Sequence, residues 1–555
     1  MVMFSRIKAA VLNKTIGRIG LILLVLSASA GIKYWLLHVG VVPFNSDEAV
    51  VALMARHIIA GERPFFFYGQ VYMGSLDAFL VAIGFVFWGQ AVWVIRFVQT
   101  LLYSLTIITT VWIGKVAFQS FKTGILAACL LAIPSVNVTL YTTTSLGGYG
   151  EALLIGNLIL LVGLILLQKI QRDGSIRAWR SIFLIFMLGF LIGFGLWANG
   201  LTLVYSAPVI SILMISIAKN WRAIRFTDLV VFVVSGLAGF ICGSAPLWIF
   251  ALTSGWGNLI SELTGSAVAV ESGSWLGKII SHLVNLILLG TTVLLGFRPP
   301  WEVRWLALPL LPIVFIFWIC VLLFTARKLL KKKSWDFTYW LLSSVPLTLC
   351  AGFIFTSFGV DPSGRYFLPL TVPLALLAAE MVQSVTPRIV YQFALLGLVL
   401  CYHLWGTWQC ASTYPPGITT QFYAISIIDH RYDNDLIQFL TSEGEYQGYT
   451  NYWVAYPLAF LSQEKLIYIP RLPYHTDLRY TPRDDRYPPY DKIVATSKKA
   501  AYITTNNPAL DSSLVSGLKE VAITYSEKWI GDYHIYYHLS RDIHPDELRL
   551  GDFTP

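Results

Sequence analysis

A polytopic α-helical membrane protein with a small C-terminal α/β domain is the architecture this sequence predicts, on three observations. Of 555 residues, 56% are hydrophobic and only 13% are charged, against roughly 25% charge in soluble domains. Apolar stretches of about 20 residues, the length a spanning helix needs, recur from Ile16 to Cys410. Past Thr413 the composition turns polar, with Pro, Tyr, Asp and Arg among short β-rich runs. The expected division is a membrane domain over 1–412 and an extracytoplasmic α/β domain over 413–555.

The formal net charge of +9 would suggest an anionic partner in a soluble protein. Here the basic residues gather in loops between apolar stretches, so nucleic acid is not implied as a partner. The six cysteines, Cys129, Cys242, Cys320, Cys350, Cys401 and Cys410, lie in or beside apolar stretches without CxxC spacing. Neither a disulfide framework nor a zinc site is indicated. No nucleotide-binding fingerprint occurs either.

Apolar stretches begin near Ile16, Ala91, Thr123, Glu151, Ser181, Leu201, Thr227, Trp305, Asp336, Tyr366 and Tyr391, which makes about eleven spans. Ala28-Ser29-Ala30 resembles a signal-peptidase site, but apolar character continues from Ile19 to Val42, as in an uncleaved anchor. Two stretches are ambiguous: Tyr72 to Trp88, interrupted by Asp77 and glycines, and Gly277 to Phe297, with His282 and Asn285. The positive-inside rule decides them, because each span inverts every later loop. With neither crossing, the N-terminus, Lys115 with Lys122, Lys169 to Arg180, Lys219 to Arg225 and Arg327 to Lys333 all fall on the cytoplasmic side. Both stretches are therefore expected as interfacial or re-entrant helices in external loops. The chain is then a multi-pass protein of the cell membrane, N-terminus cytoplasmic and C-terminal domain outside.

In the polar region, "EKLIYIP", "AAYITT" and "EVAITY" read as strands, and Asp433 to Thr441 and Pro508 to Leu518 as helices. Between them, "RLPYHTDLRYTPRDDRYPPY" reads as a proline-rich loop.

Charge next to membrane is a functional hypothesis by default. On the external side stand Asp47-Glu48, Asp77, Arg96 in "VWVIRF", Tyr149 and Glu151 in "SLGGYGEALL", and Asp361 with Arg365 in "FGVDPSGRYFLPL". Ser46 can cap a helix whose first turn favours Asp and Glu. A period of about 3.6 residues nevertheless puts Asp47 on the docking face with Val51, Met54 and Ile58. Arg96 can snorkel and Arg365 can pair with Asp361. Gly147, Gly148 and Gly150 are expected to let backbone approach a ligand. Together these residues suit an amphiphilic substrate with an anionic head, such as a lipid phosphate held by arginine, with a carboxylate as base.

An Asp-Glu at the start of a juxtamembrane helix after the first span, "GERPFFFYGQVYMGSLDAFL", "WVIRF" and a late "GRYFLPLTVPLALL" resemble membrane glycosyltransferases of the C-type fold. The nearest groups are bacterial relatives of protein O-mannosyltransferases and the aminoarabinose and galacturonic acid transferases. The resemblance covers roughly Ile16 to Cys410 and implies an inverting glycosyltransferase, of hexosyl or pentosyl groups. Its donor would be a polyprenyl-phosphate sugar and its acceptor an external lipid, glycan or protein. By that resemblance Asp47 is the catalytic base and Arg96 and Arg365 hold phosphate. Glu48, Asp77, Tyr149, Glu151 and Asp361 are further candidate substrate-binding residues. The chain departs from the mannosyltransferase pattern at Gln70-Val71-Tyr72-Met73-Gly74, where those enzymes have His-Pro-Pro. No cofactor or protein metal site is expected; a divalent cation at the phosphate is left open. The alternatives are a lipid or sugar transporter or flippase, for which repeated halves and midplane charge are expected, and a membrane-anchored carbohydrate-binding protein.

Overall fold

The computed structural model describes residues 2–173, 179–222, 225–264, 273–330, 336–361, 363–422, 424–497, 499–548 and 550. Arg177 and the run Lys331 to Lys333 of the basic loops lie outside them. The chain divides into two compact units, one of 1–39, 99–143 and 148–409, the other of 40–98, 144–147 and 410–555. The compositional break near 412 sits beside one of these boundaries. Composition does not register that 40–98 pack with the later residues.

Among the described residues, 11 helices are long and apolar enough to cross a membrane. They are Thr15–Val39, Val92–Phe118, Tyr149–Arg172, Trp179–Ala198, Gly200–Lys219, Phe226–Gly243, Trp275–Leu294, Leu311–Leu330, Phe337–Phe355, Arg365–Val385 and Ile389–Ala411. This is a polytopic α-helical membrane protein. Two elements differ from expectation. The stretch from Thr123 is a pair, Phe121–Ala132 and Val136–Thr143, bent by 82°, the break falling at Pro134, which cannot donate to the helix ladder. Gly277 to Phe297, expected as interfacial or re-entrant, falls largely in a helix long enough to span. Its polar groups are satisfied within the unit: His282 Nδ1 lies 2.9 Å from the Ile354 carbonyl and Asn285 donates to the Gly359 carbonyl at 2.9 Å.

Helices Trp179–Ala198 and Phe226–Gly243 touch backbone to backbone. A Cβ on Gly189 would stand 2.1 Å from the Gly236 carbonyl oxygen, and one on Gly239 2.0 Å from that of Phe186. Glycines four apart on both helices (Gly189 with Gly193, Gly239 with Gly243) build the small-residue seam by which membrane helices approach closely.

In the other unit, helix Ser46–Ala60 is followed by a two-stranded hairpin, Phe66–Phe67 with Gln70–Gly74, and by helix Leu76–Trp88. At 13 residues that last helix is too short to span. The C-terminal residues form a five-stranded sheet in the order Ile467–Pro470, Gln447–Thr450, Ala501–Thr505, Tyr533–Tyr537, Ser526–Ile530. The first three strands are parallel and the last two antiparallel. Helices Asp433–Glu443, Tyr452–Leu461, Pro489–Ala495 and Pro508–Glu520 complete it, an α/β arrangement as expected. "EVAITY" is not a strand; the pairing begins at Ser526, in the more polar "SEKWI". An exposed edge strand needs no apolar run to form, so the more hydrophobic neighbour misled the reading. All six cysteines are free thiols.

Candidate active site

Helix Ser46–Ala60 begins with Asn45, not the expected Ser46, as its cap: Asn45 Oδ1 accepts from the Glu48 N–H at 3.0 Å. The Ser46 hydroxyl instead donates to the Tyr452 carbonyl. Gly61 closes the helix at φ 116°, a backbone angle that glycine adopts without strain. The helix is buried nearly all round, from Glu48 to Ala55 and at His57 and Ile58. A single docking face through Asp47 is therefore not what the helix has.

Glu48, expected toward a substrate or at the helix end, is wholly buried. Arg96 reaches it with a two-pronged contact, Nε to Oε1 and Nη2 to Oε2, each 3.0 Å. The same guanidinium donates to the Pro43 carbonyl at 3.2 Å. Asp77, 1% exposed, accepts from the Ser145 hydroxyl, and the Ser145 backbone N–H bonds Glu48. Burial pushes the Glu48 carboxyl above its ordinary range, Arg96 pulls it back, and Asp77 adds to the push. Arg96, expected to hold phosphate, thus serves Glu48.

Asp47 is half-buried. Its Oδ1 accepts from the Tyr452 hydroxyl at 2.5 Å. Burial, reinforced by Asp47 itself, holds the Tyr452 phenol well above its usual value, so it remains a donor. The Arg486 guanidinium lies 5.4 Å from the Tyr452 ring centre. Asp484, also buried, is pushed up to about 7 by burial, against the pull of Arg486 and a hydrogen bond from Tyr474, with Asp47 adding to the rise. Tyr452, Tyr474, Asp484 and Arg486 were not singled out from the sequence. The available signal was "DDR" inside a tyrosine-rich loop, a costly set of charges for a loop to bury.

The remaining candidates lie in the other unit. Tyr149 and Glu151 are buried in the first turn of helix Tyr149–Asp173. Arg365 pairs with Asp361 and lies 5.0 Å from the Tyr366 ring centre. Burial alone would raise the Asp361 carboxyl; Arg365 and Ser363 outweigh it and hold it low. The glycines expected to admit a ligand face protein instead. A Cβ on Gly148 would meet the Ala198 carbonyl oxygen at 3.3 Å and one on Gly150 the Gln99 amide oxygen at 2.6 Å. Gly147, in the first-described site's unit, would meet Met73 at 3.0 Å. Lys33, a buried charge in a spanning helix that the sequence reading passed over, donates to the Thr142 carbonyl and lies 4.4 Å from the Tyr103 ring centre.

The fold is that of the C-type membrane glycosyltransferases. ArnT from Cupriavidus metallidurans superposes in its apo state with a TM-score of 0.58 at 12% identity, over 98% of this chain and 100% of that one. Bound to undecaprenyl phosphate, it gives 0.56 at 13% identity, over 94% and 98%. The Archaeoglobus fulgidus oligosaccharyltransferase in its apo form gives 0.51 at 12% identity, over 90% of this chain and 70% of that one. No protein-family model matches the chain, and no curated protein matches it significantly in sequence.

Proposed function

We propose that the protein is an inverting glycosyltransferase that moves a sugar from a polyprenyl-phosphate carrier to a lipid, glycan or protein acceptor on the external face of the cell membrane. Asp47 carries this reading: a half-buried carboxylate with one oxygen fixed by Tyr452 and, among the described residues, no hydrogen bond to the other. The fold shared with ArnT over nearly the whole of both chains, and the undecaprenyl phosphate in one ArnT structure, support the donor class.

An acceptor hydroxyl is a poor nucleophile. Asp47 takes its proton as the acceptor oxygen bonds the sugar's anomeric carbon and the bond from that carbon to phosphate oxygen breaks. The departing lipid phosphate is already an anion, so the second carboxylate that glycosidases use as an acid has no counterpart. Arg365, in the other unit, is proposed as a ligand for lipid phosphate because its planar fork matches the oxygens. Arg96 has a structural task in this scheme.

The test is to incubate purified protein with a panel of polyprenyl-phosphate sugars and follow free lipid phosphate. Release from one of them, accelerated by an acceptor, is the expected result; none from any of them overturns the reading. Sidedness is tested by cysteines placed at Gly89 and Arg172. Gly89 should label from outside and, with the bent pair Phe121–Ala132 and Val136–Thr143 crossing as one span, Arg172 from the cytoplasm; labelling of Gly89 only from the cytoplasm reverses the proposed face.

A further inference from the structure

We propose that helix Val136–Thr143 is the strut that sets the place of Arg365, with Asn137 as the positioning residue that holds the arginine's loop through the Gly364 carbonyl. The inference goes beyond the phosphate role of Arg365 and rests on it.

All the residues concerned belong to one unit. Helix Val136–Thr143 is the second limb of the bent pair, and all eight of its residues are buried. Its start is tied by the Ser135 hydroxyl, which donates to the Leu294 carbonyl at 3.3 Å. Its end is tied by Lys33, which donates to the Thr142 carbonyl, and a cation there suits the negative end of the helix dipole. So short a helix is marginal by itself, and these outside contacts decide where it lies.

Asn137 Nδ2 donates to the Gly364 carbonyl at 3.1 Å, across 227 residues of chain. The side chain is wholly buried, and its Oδ1 has no hydrogen-bond partner among the described residues. An acceptor left unsatisfied in the interior costs free energy that an apolar side chain of similar length would not. Packing alone therefore gives no reason for an amide here. The bond it donates does.

The receiving end is shaped to that bond. Gly364 has φ 93°, in the left-handed region that glycine enters without strain. A Cβ on it would stand 2.3 Å from Asn137 Oδ1 and 2.5 Å from Val293 Cγ1, so the closeness of the amide requires glycine as much as the backbone angle does. The same carbonyl accepts from the Phe367 N–H at 3.1 Å, and Phe367 packs in a buried cluster with Leu349, Phe353 and Leu370. The peptide immediately before Arg365 is thus held by Asn137 on one side and by the core on the other.

Beyond that peptide the Arg365 side chain is partly open, 31% exposed, and pairs with Asp361. An arginine fork meets phosphate oxygens through two parallel N–H bonds, and such a contact needs its base placed to within about 0.5 Å. Asn137 touches no phosphate in this account. It acts through the backbone that carries the fork.

The test is a double-mutant cycle on the full-length protein in detergent, reading affinity for undecaprenyl phosphate as the probe, with thermal unfolding of each variant. Asn137→Ala should weaken binding about tenfold when Arg365 is present and leave it unchanged in the Arg365→Ala background, because residues acting as one unit are not additive. Asn137→Leu, which keeps the length of the side chain without the amide, should do the same where alanine leaves a void. A merely structural Asn137 would lower the unfolding temperature and weaken binding equally in both backgrounds, or not at all. Equal losses in the two backgrounds, or native affinity in a folded Asn137 variant, overturn the proposal. Native affinity in Arg365→Ala is a different failure: it removes the phosphate role of Arg365 itself, and the strut's purpose with it.

Discussion

Two neighbouring groups in one unit have the same chemical makeup, two carboxylates and an arginine, and opposite construction. In the first, Arg96 bonds Glu48 through two 3.0 Å contacts, with Asp77 closed in beside them at 1% exposure. In the second, Arg486 makes no contact pair with Asp47 or Asp484 among the described residues, tyrosines carry the hydrogen bonds, and Asp47 is only half-buried. Adjacent residues on one helix, Asp47 and Glu48, belong to different groups because they leave it about 100° apart. Charge alone therefore does not mark a site. A cation and anion that satisfy each other out of reach of solvent build structure, and the same charges held apart do not neutralise each other in contact.

Removing Arg96 is the harshest way to break the comparison. Arg96→Ala should cost about 3–5 kcal/mol, the usual loss when one partner of a buried pair is removed, read from denaturant or thermal unfolding in detergent. Native stability in that variant would mean that the first group is not structural.

Asp47→Asn comes next. It should leave unfolding unchanged and lower transfer by a factor on the order of 10² or more, the contribution of a general base. Transfer at the native rate would reduce Asp47 to a helix-start residue.

Asp484 gives a smaller effect with a definite sign. Folded, its carboxyl titrates at about 7; unfolded, near its ordinary value of about 3.9. Between these the folded chain holds a proton that the unfolded chain lacks, so stability falls as pH rises from about 4 to 7. Asp484→Asn should remove that fall, being more stable than the parent at pH 8 and no different at pH 4. Equal stability at both pH values contradicts the buried assignment.

The mildest prediction sharpens the contrast from the other unit. Arg365, half-exposed beside Asp361, should tolerate Arg365→Lys structurally yet lose donor affinity by roughly tenfold, because lysine lacks the planar fork. Unchanged donor affinity would remove its phosphate role.

Local patterns in the sequence carried most of the fold. Apolar runs located nearly all the spanning helices; of the two stretches demoted by the placement of the basic loops, Tyr72 to Trp88 holds a helix of only 13 residues, whereas Gly277 to Phe297 holds one long enough to span. Patterns that needed a third dimension did not carry. The satisfied His282 and Asn285 depend on contacts with remote carbonyls. At the site, Asp47 was legible as a carboxylate at a helix start. Its partner Tyr452 is 405 residues away and Arg486 further still, and no local spacing relates them. The pairing of Arg96 with Glu48 across 48 residues was invisible for the same reason.

The glycine seam between Trp179–Ala198 and Phe226–Gly243 bears on how the molecule is made. Lipid tails solvate apolar side chains as well as protein does, so such a seam is held by dispersion and close backbone contact, not by expulsion of water. Its two halves are separated in the chain by helix Gly200–Lys219. During insertion the first half must therefore wait in lipid, its glycine groove open, until the third helix of the series has entered. Closure of the seam is thus a checkpoint in assembly, set by the order of synthesis, and a side chain larger than hydrogen at Gly189 or Gly239 would act as a wedge at that step.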